Sequence, residues 1–390
     1  MCFLWGSIQE INMKCQRSKF NLQRKVAYLN CAFMSPMLRK VEKKGIKGIK
    51  GKRKPYHIGP KDFFDRRVSV RQLFADIIES TERERVAIIP SVSYGMANVV
   101  ENLPKRKGDI VLLGEQFPSN VYPWMAAQGY SLKFVSAEKV ENRGQNWNEK
   151  ILSAIGRETA AVAIPHVHWA DGTLFDLKAI RDQAYSVDAA LIVDGTQSVG
   201  ALPFSVKEIK PDALVCAGYK WLMGPYAMGA AYYGPMFDNG KPVENNWISR
   251  KNSEDFAGLV NYEEQYQPGA MRYDVGEHSN FVLLPMFAEA LRQVKKWGPA
   301  DIQNYARELM RDAIQEIREM GFWIENEDHR SHHLFGIRLP AHVEHDRLQK
   351  QLRQHKVSVS FRGDAIRVSP HVYNDQKDVS KFMNALKSAL

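Results

Sequence analysis

Cysteine is scarce in this sequence, and long apolar runs are absent from it. The four cysteines (Cys2, Cys15, Cys31 and Cys216) are scattered along the 390 residues, with no CxxC pair and no histidines at zinc-finger spacing. This scatter excludes a disulfide framework and a structural zinc site, and reduced thiols suit a cytosolic protein. No segment approaches the roughly 18 consecutive apolar residues that a membrane helix requires. We therefore expect a cytoplasmic protein with no metal and no membrane span.

Positive charge is concentrated in one part of the chain. Residues 1–67 hold 17 Lys or Arg and 4 Asp or Glu, whereas the other residues hold 37 and 40. The densest stretch, residues 40–54, contains no aromatic side chain to serve as a stacking platform for a single-stranded nucleic acid. We interpret residues 40–67 as a solvated, glycine-broken basic loop and expect no nucleic-acid partner.

Short apolar segments alternate with helical segments between residues 86 and 233, and this alternation predicts the fold class. The apolar segments contain few polar residues, which is typical of strands that are buried on both faces. They occupy residues 86–89, 109–113, 132–135, 160–164, 190–193, 213–216 and 227–233. The alternation predicts an α/β domain in which a mostly parallel seven-stranded sheet lies between helices.

Longer helical segments after residue 285 predict a second, smaller domain. Helices are expected at 286–297, 301–320 and 377–390, and short strands at 334–339, 357–361 and 365–368. We therefore divide the chain into an N-terminal extension without clear periodicity at 1–27, a large α/β domain at 28–268 and a small α+β domain at 269–390.

An acid and a lysine follow two neighbouring predicted strands. Asp194 comes directly after the strand at 190–193, and Lys220 follows the strand at 213–216. In an open α/β sheet, ligands bind beyond the carboxyl ends of the strands. A pyridoxal ring needs a lysine that binds its aldehyde carbon and a carboxylate that keeps its ring nitrogen protonated. The two residues therefore indicate a pyridoxal-phosphate enzyme.

Two segments around these residues resemble the cofactor motifs of the class V aminotransferase group. They read VDGTQSVG at 193–200 and AGYKWLMGP at 217–225, in the order and strand context of the group. The group includes cysteine desulfurases, kynureninases and isopenicillin-N-epimerase-like proteins, and the resemblance extends from about residue 28 to the C-terminus. It implies the cofactor pyridoxal 5'-phosphate and the fold called PLP fold type I.

The resemblance implies roles for residues around the cofactor ring. Asp194 would pair with the pyridine nitrogen, and Gln197 would lie near the phenolic oxygen. Lys220 would form the Schiff base. Phe117 would stack on the ring, as a phenylalanine does in kynureninases, whereas cysteine desulfurases have a histidine there. Tyr219 matches a tyrosine that contacts the phosphate in kynureninases.

Phosphate binding is expected at the sequence SVSYG, residues 91–95. Backbone N–H groups at a helix start, together with serine hydroxyls, suit a phosphate dianion. Ser91, Ser93 and the amide of Val92 are the candidates. Ser279 lies in a segment that resembles one reaching the phosphate of a neighbouring subunit, so the resemblance implies a homodimer with shared active sites.

The histidines near the predicted site give weaker evidence of a functional role. His168 and Trp169 follow a predicted strand, and we place them in the cofactor pocket, with a purely structural role as the open alternative. His166 is interpreted as structural, because no third ligand for a metal is evident beside it. His329, His332 and His333 belong to a polar cluster that we expect on a surface loop.

Arg367 is the leading candidate for binding the substrate. Its segment AIRVSP, residues 365–370, resembles the stretch whose arginine holds the α-carboxylate of the substrate. A guanidinium group forms two parallel hydrogen bonds with a carboxylate, so arginine suits this task better than lysine. Arg362 is a second candidate. The expected partner is therefore a small amino acid.

The sequence reduces the number of possible reactions but does not identify a single one. A cysteine desulfurase needs a nucleophilic cysteine shortly before the carboxylate-binding arginine, and no cysteine follows Cys216. We therefore predict an aminotransferase in which Lys220 moves the proton, and not a persulfide-forming desulfurase. The alternative is a kynureninase- or epimerase-like C–C or C–S lyase or epimerase. A third hypothesis is a binding protein of this fold whose basic segment 40–54 contacts RNA or anionic lipid.

Overall fold

The computed structural model describes residues 13–104, 108–138, 140–340 and 342–390. Its strands are β1 (Ala27–Tyr28), β2 (Val86–Ile89), β3 (Gly108–Leu113), β4 (Tyr130–Val135), β5 (Thr159–Pro165), β6 (Ala190–Asp194), β7 (Ala213–Ala217), β8 (Gly229–Tyr233), β9 (Phe335–Arg338), β10 (Val357–Ser358), β11 (Ser360–Arg362) and β12 (Ala365–Val368). Its helices are α1 (Arg39–Gly51), α2 (Pro60–Ile77), α3 (Val92–Asn102), α4 (Tyr122–Ala126), α5 (Arg143–Ala154), α6 (Leu177–Ser186), α7 (Val206–Ile209), α8 (Leu283–Trp297), α9 (Pro299–Glu319), α10 (His345–Gln354) and α11 (Gln376–Lys387).

The central sheet has seven strands in the order β2-β8-β7-β6-β5-β3-β4. Strands β3 to β7 pair in parallel, whereas β8 runs antiparallel to both of its neighbours. Every residue of β5, β6 and β7 is buried, which explains why these segments are apolar throughout. The predicted mostly parallel seven-stranded sheet of an α/β fold is confirmed.

Apolar side chains form a separate cluster on each side of this sheet. On β7, Leu214 belongs to one cluster and Val215 to the other, because successive side chains of a strand point to opposite faces. The first cluster also includes side chains from α2, α5, α6 and α8, and the second includes side chains from α3. The sheet therefore has a core on both faces, as the sequence predicted.

The C-terminal part of the chain forms a smaller α+β unit. A three-stranded antiparallel sheet in the order β11-β12-β9 shares a third apolar cluster with α9, α10 and α11. Strand β1 joins this unit by pairing in parallel with β10, through Ala27 and Val357. Among the described residues, no helix has the length and apolarity needed to cross a membrane.

Residues 13–26 lie against this C-terminal unit. The sequence predicted an extension at 1–27, and residues 1–12 of it lie outside the described part of the chain. Phe20 is buried, and Arg17 forms an ion pair of 2.8 Å with Asp378 of α11. The described part of the predicted extension is therefore anchored to the rest of the chain by Phe20 and Arg17.

Most of residues 40–67, which we predicted as a basic loop, is helical: residues 40–51 belong to α1 and residues 60–67 to α2. Gly45 and Gly48 lie three residues apart on the face that packs against the start of α8, where a Cβ at Gly45 would lie 2.6 Å from Met286 Sδ. A Cβ at Gly48 would overlap the carbonyl oxygen of Phe281. The glycines therefore permit close helix packing and do not break the helix, and the lysines lie on its exposed side.

Candidate active site

A cavity of about 270 Å³ lies beyond the carboxyl ends of β2, β5, β6 and β7. It brings together nine of the eleven residues that were predicted to surround the cofactor: Ser91, Val92, Ser93, Phe117, Trp169, Asp194, Gln197, Tyr219 and Lys220. His168 and Ser279 do not line it. Four separate strand ends thus place the predicted residues around one space, as the rule for open α/β sheets requires.

Lys220 extends into this cavity from the loop that follows β7. Hydrogen bonds from Gly218 N to Met228 O and from Gly224 N to Gly218 O, both 2.8 Å long, close the loop. The Nζ atom lies 5.4 Å from the ring centroid of Phe117 and forms no hydrogen bond or ion pair with any residue that the structure describes. Burial, together with Arg367, lowers the pKa of Lys220 to about 7. A buried amine that is partly neutral near pH 7 can act as a nucleophile.

Asp194 is the buried acid of the site. Its Oδ1 accepts a hydrogen bond of 2.9 Å from Thr196 N, and Thr196 Oγ1 accepts one of 3.1 Å from Ala217 N. Thr196 therefore joins the ends of β6 and β7, and sequence reasoning missed it. Burial raises the pKa of Asp194, whereas the hydrogen bonds from Thr196 and the charge of Lys220 oppose that rise. A cationic ring N–H placed beside this carboxylate would favour its charged form.

The opposite end of the cavity is formed by the start of α3. Ser91 caps the helix, because its Oγ accepts a hydrogen bond of 3.2 Å from Tyr94 N, and it lies 3.0 Å from Ser93 Oγ. A Cβ at Gly95 would lie 2.6 Å from Val215 Cγ1, so this glycine lets the helix start approach the sheet. The first turn of a helix leaves backbone N–H groups without helical partners, and they favour an anion.

Aromatic rings form the wall above Lys220. Phe117 meets Trp169 edge to face, with ring centroids 5.5 Å apart. Gln116 anchors the loop before Phe117, because its side chain accepts a hydrogen bond from Leu113 N at 3.1 Å and donates one to Ala163 O at 3.3 Å. Sequence reasoning missed Gln116, although a buried glutamine directly before the predicted stacking ring is the feature that could have revealed it.

His168 supports the wall from behind, which corrects its predicted position in the pocket. It is fully buried, with Nδ1 3.0 Å from Asp171 Oδ1 and Nε2 3.1 Å from the carbonyl oxygen of Glu115. Both ring nitrogens are engaged in this way. Of the two residues that we placed in the pocket, Trp169 lines it and His168 does not.

Ser279 lies away from the cavity of its own chain. It is buried, and its Oγ donates a hydrogen bond to the carbonyl oxygen of Phe63. Ser279 therefore does not face the cavity of its own chain, where the phosphate is expected. Its predicted contact would require a second subunit.

Two arginines of the β11–β12 hairpin lie near the lysine. Arg367 is buried and donates from Nη1 to Trp169 O at 2.8 Å, whereas its Nε and Nη2 have no partner in the described part of the chain. Burial and the nearby Arg362 lower the pKa of Arg367 to about 9. Arg362 donates from Nη1 to Phe361 O at 2.7 Å and lies over the Trp169 ring, 5.5 Å from its centroid. Buried donors without partners are suited to an anionic ligand.

The predicted cofactor fits this arrangement of residues. A reactive amine, a buried carboxylate and a helix start with unpaired N–H groups match its aldehyde carbon, its ring nitrogen and its phosphate. In the part of the chain that the structure covers, no group of three His, Cys, Asp or Glu side chains could hold a metal ion. The amine, the carboxylate and the helix start together suit an organic cofactor with a phosphate group.

Comparisons with known proteins agree with this geometry. Residues 53–382 match the family model of class-V aminotransferases. An uncharacterized aminotransferase of Bacillus subtilis is 28% identical over 82% of this chain and 82% of its own length. A kynureninase of Geobacillus thermodenitrificans is 24% identical over 85% of this chain and 80% of its own. The apo structure of a cysteine desulfurase from Thermococcus onnurineus superposes with a TM-score of 0.81 at 20% identity, over 96% of this chain and 98% of that one.

Proposed function

The chain belongs to the class-V aminotransferase family, and from that premise we propose that it transfers the amino group of a small amino acid. Its cofactor is pyridoxal 5'-phosphate. When bound, this cofactor withdraws electrons from a bond at the α-carbon of the substrate. The observation that carries the proposal is the position of Lys220, whose amine is buried beside Asp194 and the ring of Phe117.

Lys220 would hold the cofactor and later move a proton. Because burial lowers its pKa to about 7, a substantial fraction of the amine is neutral at physiological pH. A neutral amine could accept the proton from the α-carbon and deliver it to the aldehyde carbon of the cofactor, which is the proton movement that transamination requires. Asp194 would hold the ring nitrogen in its protonated form.

Arg367 would orient the substrate. Its unpartnered Nε and Nη2 atoms can form a bidentate pair with the α-carboxylate. Neither Arg367 nor Arg362 lines the cavity that the predicted cofactor residues surround, so the substrate would lie between that cavity and the β11–β12 hairpin. Arg362, stacked on Trp169, would contribute positive charge from the side of the cavity.

The described thiols do not support persulfide chemistry. Cys31 is fully buried, and burial raises its pKa to about 12, so that it remains a protonated thiol. Sulfur transfer to an enzyme requires an accessible thiolate. Cys216 is also buried, and Cys15 is exposed but hydrogen-bonds the carbonyl oxygen of Tyr373. These positions favour transamination over a cysteine desulfurase.

The test starts with protein reconstituted with pyridoxal phosphate and reduced with borohydride. Mass spectrometry should find the cofactor on the peptide that contains Lys220, and Lys220→Ala should abolish the label. The loaded enzyme is then incubated with single amino acids and with keto acids. Formation of a new amino acid in stoichiometric exchange supports transamination, and absence of any Lys220 label would overturn the proposal.

A lyase is the second candidate. Tyr219 and Phe117 both line the cavity, and the resemblance places a tyrosine and a phenylalanine at these positions in kynureninases. Release of alanine, pyruvate or sulfide without consumption of a keto acid would favour this candidate.

We also propose a homodimer with shared active sites. Support comes from exposed apolar side chains in the segment before Ser279, where Val260 is 79% and Tyr262 is 97% exposed. Light scattering should give twice the subunit mass. Mixed dimers of Lys220→Ala and Ser279→Ala subunits should recover activity that neither variant has alone, because one of their two sites would be intact.

A further inference from the structure

The side-chain amide of Gln197 lies between two groups of opposite hydrogen-bonding character. Its Oε1 accepts a hydrogen bond of 2.9 Å from the indole Nε1 of Trp221, and its Nε2 donates one of 3.3 Å to the carbonyl oxygen of Ala32. Gln197 lines the cavity, whereas Trp221 is fully buried and does not line it. The Trp221 side chain therefore contacts the lining of the site through Gln197, while its backbone directly follows that of Lys220.

These two partners determine the orientation of the amide. An indole N–H can only donate, and a backbone carbonyl oxygen can only accept. If the amide were flipped, its NH₂ group would face the indole N–H and its oxygen would face Ala32 O, so both hydrogen bonds would be lost. Gln197 thus retains one further N–H, on Nε2, that neither partner uses, and its oxygen is held against Trp221.

Two further buried side chains, those of His333 and Gln303, hold the backbone of Gln197. His333 Nε2 lies 2.7 Å from Gln197 O, and because a carbonyl only accepts, the ring must donate from Nε2. His333 Nδ1 then accepts from Gln303 Nε2, which completes the tautomer assignment. The Trp221 ring packs edge-on against His333, with centroids 4.4 Å apart. Backbone and side chain of Gln197 are therefore both constrained.

We propose that Trp221 is a positioning residue, whose indole N–H makes Gln197 present a donor, and never an acceptor, to an anionic oxygen of the bound cofactor. This inference rests on the proposed function, because it needs a cofactor with an ionised oxygen near Gln197. A donor at that point favours the anionic form of the oxygen. Trp221 acts through the orientation of Gln197 and touches neither cofactor nor substrate.

Trp221→Phe tests the inference because it removes the indole N–H and keeps a ring beside His333. The measurement is a pH titration of the visible absorbance of the cofactor bound to Lys220. Since the anionic oxygen loses an oriented donor, we expect the midpoint to rise by about half to one pH unit. The dissociation constant for pyridoxal phosphate should increase by roughly threefold to tenfold.

Trp297→Phe is the matched control. Trp297 is also buried and also donates from Nε1 to a glutamine oxygen, Gln16 Oε1, at 3.4 Å, but neither residue lines the cavity. Both variants lose an indole hydrogen bond of the same kind and some buried volume. Only Trp221→Phe should move the titration midpoint, whereas both can lower the melting temperature.

A double-mutant cycle with Gln197→Ala tests whether Trp221 acts through Gln197. In the Gln197→Ala background, Trp221→Phe should cause no further change in midpoint or dissociation constant. A wild-type midpoint in Trp221→Phe, or an equal shift on both backgrounds, would overturn the inference. If the wild-type protein itself acquires no cofactor on Lys220, it is the proposed function that fails, and the two failures are thereby distinguished.

Discussion

His168 and Asp171 form a buried hydrogen-bonded pair, with His168 Nδ1 3.0 Å from Asp171 Oδ1. The other ring nitrogen of His168 lies 3.1 Å from Glu115 O, which also accepts a hydrogen bond of 2.7 Å from the Trp169 indole. Glu115 has a φ of 56°, a conformation that residues with a Cβ rarely adopt. The pair therefore helps to hold the strained backbone of Glu115, two residues before Phe117. In this way it fixes the position of the Phe117 ring near Lys220.

Asp171→Asn is expected to destabilise the protein by about 3–5 kcal/mol. Asp171 Oδ2 lies 3.1 Å from the buried Arg143 Nε. Although burial acts to raise it, His168 and Arg143 hold the pKa of Asp171 well below its usual range, so the carboxylate is charged at neutral pH. The amide would leave the buried Arg143 cation with only the exposed carboxylate of Glu115, 3.5 Å away. Urea denaturation of the cofactor-free protein measures the loss.

Asp364→Asn is the control for this change. Asp364 and Asp171 both contact Arg338, but the Asp364 side chain is 53% exposed whereas that of Asp171 is 3% exposed. An exposed ion pair contributes at most about 1 kcal/mol, so the free energy of unfolding should change little. Equal losses for the two variants would refute a special role of the buried pair.

Arg367→Gln should reduce kcat/KM for the amino acid by roughly 30-fold to 1000-fold, because the α-carboxylate would lose its bidentate partner. Arg367→Lys should retain part of that affinity, since a point charge replaces the fork. Arg362→Gln should reduce kcat/KM less than Arg367→Gln does, because Arg362 is only partly buried.

Stability distinguishes substrate binding from misfolding in this series. Arg367 donates one hydrogen bond, to Trp169 O, while its two other buried nitrogens have no partner in the described residues, so burial of its charge costs the substrate-free protein stability. Arg367→Gln should therefore unfold at no lower urea concentration than the wild type. A fall in stability that parallels the fall in kcat/KM would mean that Arg367 supports the fold instead.

Gly48→Ala should lower the free energy of unfolding by about 1–3 kcal/mol, because its Cβ would overlap the carbonyl oxygen of Phe281. Gly51→Ala, in the same helix, is the control, since a Cβ there meets no atom within 4 Å. That change should be neutral or stabilise the protein by up to about 1 kcal/mol. Equal effects in thermal unfolding would contradict the packing of α1 on α8.

Buried strands were predictable from the sequence because their environment is uniform. Strands β5 to β7 are covered on both faces, so the apolar runs marked them within one or two residues. Helix α2 was not predicted, because Arg67 and Arg71 are buried within it and interrupt its apolar face. Arg71 forms a buried ion pair with Asp274, a partner 203 residues away that no local pattern can reveal.

The site residues at the strand ends were predictable from the sequence. The residues that hold them in position were harder to predict. Asp194 ends β6 and Lys220 follows the adjacent β7, so the parallel pairing of these strands brings both residues to one edge. His333 was expected on a surface loop but is fully buried against Gln197 O, because the small unit packs onto the large one there. His332 is likewise buried, at 5% exposure, which corrects its expected position.

Lys220→Met should stabilise the cofactor-free protein near neutral pH, and the gain should disappear as the pH rises. Burial lowers the pKa of Lys220 from 10.5 to about 7, so between these values the unfolded chain binds a proton that the folded protein does not. The free-energy cost of burying Lys220 in the folded protein therefore grows as the pH falls from 10.5 to 7 and is constant below 7. At pH 7 the variant should be more stable by on the order of 1–4 kcal/mol. The difference can be measured by urea denaturation of the wild type and of Lys220→Met at pH 7 and above. Lys207→Met, at an exposed site, is the control. A gain in stability that did not change with pH would show that Lys220 is not buried as a neutral amine.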